Sequence, residues 1–204
     1  MALYAILDTA LLARHQHRLV DVVEACGDLP WVQIRHKGPF DRDFVTELEA
    51  CARIRTDLIL NDRADYAALF GFGLHLGQDD LPPVAARQII GTSVKLGLST
   101  HNATQLLAGT SEPVDYLAVG PIFETSSKLN PDPVVGVVGL ARLRPISTRP
   151  LVAIGGITLE NAPQVIEAGA NFVAILSALW QPPYTLRSFR DNIERWQQTL
   201  ATPN

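Results

Sequence analysis

The chain is predicted to fold as an α/β protein, a (β/α)8 barrel in a single domain spanning residues 1–204. Three observations predict it. Eight short apolar runs recur at near-regular intervals, helix-like segments lie between them, and one unit occupies about 25 residues. The competing layout, an open doubly wound sheet carrying a dinucleotide, calls for GxGxxG after its first strand. Here the first run ends in "LDTALL", without glycine.

The eight runs are "LYAILD" (3–8), "WVQIRHK" (31–37), "DLILND" (57–62), "GLHLGQ" (73–78), "SVKLGLS" (93–99), "DYLAVGP" (115–121), "PLVAIGG" (150–156) and "FVAILS" (172–177). Each is too short for a stable helix and rich in aliphatic residues, as a buried strand requires. The first run reads as a strand followed by a loop. In 18–27, Leu19, Val22, Val23 and Cys26 fall at helical spacing and Gly27 stops the segment. Segment 41–54 opens on Asp41 as a cap and carries Phe44, Leu48 and Cys51. Segment 159–170 carries Val165 and Ile166 and closes at Gly169. Segment 186–200 carries Phe189, Ile193, Trp196 and Leu200 on one face. The longest irregular stretch, 123–136, follows the sixth strand. Its length and Ser/Pro/Asn content predict a mobile active-site loop.

Composition narrows the function classes. Of 204 residues, 47% are hydrophobic and 19% charged, and the net charge is −4. That balance suits a globular protein and argues against a nucleic-acid partner, because general nucleic-acid binders carry a basic surplus. An anionic ligand must therefore be drawn by a local cluster of cations. No run approaches the ~18 apolar residues of a membrane span, and the N-terminus lacks the basic start of a secretory signal. Cys26 and Cys51 have no CxxC spacing and read as reduced, partly buried thiols, so a cytoplasmic location is expected. A homo-oligomer is left open.

In such barrels the chemistry sits at the carboxyl ends of the strands, so polar residues there carry the weight. In the second run Val32 and Ile34 share the face that packs under helices. Trp31, Gln33, Arg35 and Lys37 share the inward one. Two inward cations need counterions, because burying them unpaired costs several kcal/mol or more. Local acids, Asp8 or Asp62, could supply them; so could an anionic ligand, which is the expectation here. Asn61, Asp62 and Arg63 end the third run, and Asp79 and Asp80 follow the fourth. Asp62 could alternatively cap the next helix, and Asp80 could serve the turn before Pro82. Two carboxylates at adjacent strand ends suit Mg2+, which takes one or two protein carboxylates and completes its shell with water and substrate phosphate. In the fifth run Ser93, Lys95, Gly97 and Ser99 point inward, with Ser99 nearest the mouth and His101 just beyond. Thr125, Ser127 and Lys128 offer hydroxyls and an ammonium to phosphate. Gly155 and Gly156 leave backbone N–H groups approachable where barrels of this kind bind phosphate, after strands seven and eight. Two anion sites at one mouth point away from a single-substrate isomerase.

The ordered set "QIRHK", "NDR", "HLGQDD", "GLSTH", "VGPIFETSSK", "AIGGI" and "ILSAL" resembles the thiamine-phosphate synthase family over about residues 3–180. The resemblance implies an Mg2+-dependent transferase. It joins a hydroxymethylpyrimidine diphosphate to a thiazole phosphate, giving thiamine phosphate and pyrophosphate. It also implies residue roles. Gln33, Arg35, Lys37 and Asn61 would hold the pyrimidine diphosphate, Asp62 and Asp80 the metal, and Ser99 would stand beside the reacting diphosphate. Thr125, Ser127 and Lys128 would match the family's TxTK, with Lys128 on the diphosphate. Gly156, Leu176 and Ser177 would meet the thiazole phosphate. Arg35, Ser99 and Lys128 are the implied catalytic residues. The sixth loop departs from the family's Pro-Thr-x-Thr-Lys: Glu124 stands for Pro and Ser127 for the second Thr. "FET" resembles relatives that aromatise a thiazole carboxylate phosphate as tautomerases, with a histidine like His101 as acid/base. That activity, and a non-catalytic barrel binding thiazole or thiamine phosphate, stand as alternatives.

Overall fold

A computed structural model describes residues 2–125 and 132–201. The elements run in order β1 (Ala2–Asp8), α1 (Thr9–Arg14), α2 (Leu19–Ala25), β2 (Val32–Arg35), α3 (Arg42–Ile54), β3 (Ile59–Asn61), α4 (Ala64–Phe70), β4 (Gly73–Leu76) and α5 (Pro83–Ile90). They continue with β5 (Leu96–Thr100), α6 (Ala103–Thr110), β6 (Tyr116–Val119), α7 (Gly136–Leu143), β7 (Leu151–Ile154), α8 (Ala162–Glu167), β8 (Phe172–Ile175) and α9 (Leu186–Ala201). The eight strands are parallel and close on themselves, β8 pairing with β1 through Ala2 opposite Phe172. The predicted (β/α)8 barrel is the observed fold.

Alternation along each strand divides the apolar residues into two cores. Outward residues such as Leu3, Ala5 and Leu7 of β1 and Val32 and Ile34 of β2 pack under the helices in one large cluster. Inward residues Tyr4, Ile6, Ile59, Tyr116, Ala118, Val152 and Ala174 fill the lower barrel, with Trp31 and Phe172 against them. The inner cluster is a packed plug rather than a pore, which leaves the rim above it as the place where the barrel can present a site. Closing helix α9 buries Phe189, Ile193, Trp196 and Leu200, the face its spacing predicts.

One expectation fails at the start of the chain. Residues after β1 form helix α1, where a loop was expected, because Asp8 caps it. The Asp8 carboxylate accepts from the backbone N–H groups of Ala10 and Leu11, both at 3.1 Å. Such caps contribute about 1 kcal/mol and can nucleate a helix too short to hold on propensity alone. Asp41 caps α3 as predicted, accepting from Phe44 N at 3.0 Å. Cys26 and Cys51 are free and fully buried rather than partly so, and burial pushes both thiols up to about 12. Among the described residues no helix is long and apolar enough to cross a membrane.

Candidate active site

The carboxyl ends of β1 to β4 bring four of the expected charges together. Arg35 closes β2 directly opposite Asp8 of β1, and its guanidinium is ion-paired to that carboxylate. Asp8 therefore works twice, one oxygen capping α1 and the other holding Arg35. Lys37, two residues further on the same face, is ion-paired to Asp62. The local acids that the sequence offered as alternative counterions do pair the two cations. Both pairs sit at the rim: the Lys37 side chain is 56% exposed, so its ammonium can exchange a carboxylate for another anion.

Asp62 does not cap α4. Arg63 occupies that position, without a side-chain cap bond. Asp62 instead adopts a left-handed backbone, φ 66°, which aspartate tolerates better than most residues. Its N–H donates to His75 O at 2.9 Å, fixing the turn to β4. Asp80 comes back over the same point, accepting from Gly77 N at 2.6 Å. It does close a turn, yet its carboxyl also meets Asp62. Burial first, and then the hydrogen bond with Asp62, hold the Asp80 carboxyl above the usual carboxylate range. Two acids pressed together beside Lys37 form a site that a divalent cation would relieve. Among the described residues no cluster of three or more His, Cys, Asp or Glu side chains suits a metal. Two carboxylates are a donor set that fits Mg2+, which takes one or two protein carboxylates and completes its shell with water and substrate oxygen.

Below the rim runs a buried row of polar groups that the sequence reading only partly found. Gln33 donates to the Tyr4 hydroxyl at 2.9 Å, and Tyr4 and Tyr116 share a hydrogen bond of 2.7 Å across the barrel. His75 Nδ1 lies 2.9 Å from the Tyr116 hydroxyl, and Nε2 lies 2.9 Å from Ser99 Oγ. Burial lowers the His75 pKa from 6.5 to about 4 against the pull of Asp80, so the ring is neutral near pH 7. Both phenols are raised by burial and stay protonated. Gln33 and Ser99 were expected here; Tyr4, His75 and Tyr116 were not singled out. Strand parity puts all three on the inward faces of their strands, which is the signal the sequence carries; that they meet there is shown only by the closed barrel. Asn61, the last residue of β3, is 8% exposed and pairs in register with His75.

The opposite side of the mouth is built from backbone. Gly155 and Gly156 follow β7 with φ of 100° and 64°. A Cβ on Gly156 would stand 2.4 Å from Glu124 O and 2.7 Å from Phe123 Cβ, so only glycine lets the loop after β6 pass so close. Glu124, the departure in that loop, is exposed and Thr125 half-buried. Ser127 and Lys128, and with them much of the expected mobile loop, lie outside the described residues. His101 Nδ1 lies 2.6 Å from Gly120 O, and a carbonyl only accepts, so Nδ1 carries the proton. Leu176 and Ser177 leave β8 beside a cleft of about 1070 Å3 that Asp8, Arg35 and Lys37 also line. Gly156, Asn61 and Ser99 are not among its lining residues. The cleft follows the rim from β8 to β2 and then runs outward between α1 and α3.

Comparison with known proteins agrees with the barrel fold. A family model described as "Thiamine monophosphate synthase" matches residues 3–179. A thiamine-phosphate synthase of Koribacter versatilis is 44% identical over 191 residues, covering 89% of this chain and 90% of that one. One from Chloroflexus aurantiacus is 38% identical, covering 87% and 84%. Among solved structures, a thiamine phosphate pyrophosphorylase from Pyrococcus furiosus superposes with a TM-score of 0.80 at 25% identity, over 98% of this chain and 97% of that one. The chain belongs to the thiamine monophosphate synthase family.

Proposed function

We propose that the protein joins 4-amino-2-methyl-5-hydroxymethylpyrimidine diphosphate to 4-methyl-5-(2-phosphoethyl)thiazole, or its carboxylate, to give thiamine phosphate and pyrophosphate. The observation that carries the reading is the meeting of Arg35, Lys37, Asp62 and Asp80 at one rim, each within contact of an opposite or like charge. A rim of that kind suits a substrate with several negative charges and a cation bound beside it.

The aminopyrimidine can support a benzylic-type cation once pyrophosphate departs, and the thiazole nitrogen attacks with a free lone pair. No general base is required. The work left to the protein is to stabilise the departing charge and to hold the two rings in line. Arg35 and Lys37 neutralise the diphosphate, exchanging Asp8 and Asp62 for it. Ser99 donates from the mouth of β5, and Lys128 adds a further cation from the loop after β6. Asn61 and Gln33 orient the pyrimidine half. Gly156, Leu176 and Ser177 receive the thiazole phosphate, with Thr125 and Ser127 contributing hydroxyls. Asp62 and Asp80 would hold Mg2+, which when bound supplies charge neutralisation to the leaving group. We place the reaction in the cytoplasm, where two free thiols stay reduced.

The test is pyrophosphate release by purified protein with both substrates and Mg2+, with and without EDTA. Release that requires both substrates and the metal, with thiamine phosphate formed, is expected. Aromatisation of a thiazole carboxylate phosphate without pyrophosphate release would assign the tautomerase activity instead. Binding of thiazole phosphate without any turnover would leave a non-catalytic barrel.

A further inference from the structure

We infer that Tyr4, Tyr116 and His75 form a one-directional hydrogen-bond chain that holds Ser99 as a proton donor toward the mouth; its catalytic meaning rests on the synthase reading above. The direction follows from the groups at its foot. The Gln33 amide nitrogen donates to the Tyr4 oxygen at 2.9 Å. Tyr4 then has its own proton to give, and the Tyr116 oxygen is 2.7 Å away. Tyr116 in turn gives its proton to the acceptor next to it, His75 Nδ1 at 2.9 Å. A neutral imidazole that accepts at Nδ1 carries its proton on Nε2. That proton goes to Ser99 Oγ, also at 2.9 Å. Ser99 accepts from below, so its own O–H is the one left for a ligand.

Four features make this a built device. Tyr4 and Tyr116 are 1% and 0% exposed, Gln33 2% and His75 8%, so water does not compete along the row. Gly97 clears the way: a Cβ there would lie 2.0 Å from Tyr116 Cζ. Register sets His75 of β4 opposite Gly97 of β5, and Gly97 opposite Tyr116 of β6, so the ring reaches across the position the glycine leaves empty. Finally, the row ends on the half-buried Ser99, its most exposed member. An aligned chain polarises each bond in the same sense and strengthens the last donor. A hydroxyl already committed as donor needs no reorientation when negative charge develops on a departing diphosphate oxygen. His75, Tyr116 and Tyr4 are thus positioning residues acting through Ser99.

The experiment reads both the tautomer and the rate. Histidine side chains of 15N-labelled protein are recorded at neutral pH, with His75→Gln identifying the resonance. The expected result is a single neutral tautomer with the proton on Nε2. In Tyr116→Phe the Nδ1 donor is gone, and His75 should become a mixture of tautomers. In the same variant kcat should fall about tenfold, with KM for thiazole phosphate unchanged. In a Ser99→Ala background, Tyr116→Phe should cost nothing beyond about twofold, because the two act as one unit. Tyr4→Phe, one bond further back, gives the same readouts if Tyr116→Phe does not fold. A wild-type His75 protonated on Nδ1, or a Tyr116→Phe loss that persists in full without the Ser99 hydroxyl, overturns the inference. A protein with the Nε2 tautomer that makes no thiamine phosphate would retain the donor chain and remove the synthase reading.

Discussion

Lys37 and Asp62 are ion-paired across the ends of β2 and β3, and the same Asp62 is hydrogen-bonded to Asp80. One carboxylate is thus shared between a cation and a second acid. On the proposed reading Lys37 would meet the diphosphate and Asp80 the metal, so the two binding events would be coupled through Asp62: whatever neutralises Asp62 would release Lys37.

Lys37→Ala separates binding from folding. Exposed ion pairs contribute about 0–1 kcal/mol, so the variant should unfold within about 1 kcal/mol of the parent. A charge-assisted contact to a diphosphate is worth more, and KM for the pyrimidine diphosphate should rise about tenfold or more. KM for the thiazole phosphate should barely change. Steady-state kinetics with each substrate varied in turn checks this, and equal effects on both would remove Lys37 from the diphosphate site.

Asp62→Ala should lower synthesis by about a hundredfold or more, since it removes one of the two carboxylates proposed for the metal and the partner of Lys37. Calorimetric titration with Mg2+ and pyrophosphate should show the binding heat lost or shifted to far higher concentration. Near-normal turnover with unchanged Mg2+ dependence would exclude Asp62 as a ligand.

The legible part of this molecule was the part fixed by strand parity and spacing. All eight strands and the helices from 18–27, 41–54 and 186–200 follow from short-range pattern, and so does the inward face of Trp31, Gln33, Arg35 and Lys37. Helix α1 was not legible, because six residues carry too little periodicity and its start depends on Asp8 turning back onto its own chain. The roles of Tyr4, His75 and Tyr116 were hidden for a different reason. Each looks like barrel filling when read alone, and only closure of the sheet sets Tyr4 of β1 within hydrogen-bond reach of Tyr116 of β6, 112 positions later. The left-handed turn at Asp62 likewise shows itself only in three dimensions.

His75 predicts a pH dependence of stability. Its pKa falls from 6.5 to about 4 on folding. Between those values the unfolded chain binds more protons than the folded one, so stability is full above 6.5 and is lost as pH falls toward about 4. For a fully buried ring the loss from pH 7 to pH 5 is on the order of 2 kcal/mol. Denaturant midpoints of the parent should drop accordingly over that range. His75→Gln, which cannot titrate, should show a shallower slope there. Parallel slopes would mean that His75 is not buried neutral.

Gly97→Ala tests the crossing of the barrel by Tyr116. The new methyl would stand 2.0 Å from Tyr116 Cζ and 2.4 Å from its hydroxyl oxygen, far inside contact distance. Tyr116 cannot swing aside freely, because its hydroxyl is tied to Tyr4 and to His75 and its ring packs edge-on against Trp31 at 5.0 Å. Overpacking of this kind costs about 1–3 kcal/mol, and here the hydrogen bonds of the row are lost with it. Chemical denaturation should therefore place Gly97→Ala well below the parent. Shortening the obstacle should return part of the loss: in Gly97→Ala/Tyr116→Leu the methyl has room, and the two substitutions should combine less than additively. Strict additivity would show that the alanine harms the barrel by some route other than contact with Tyr116.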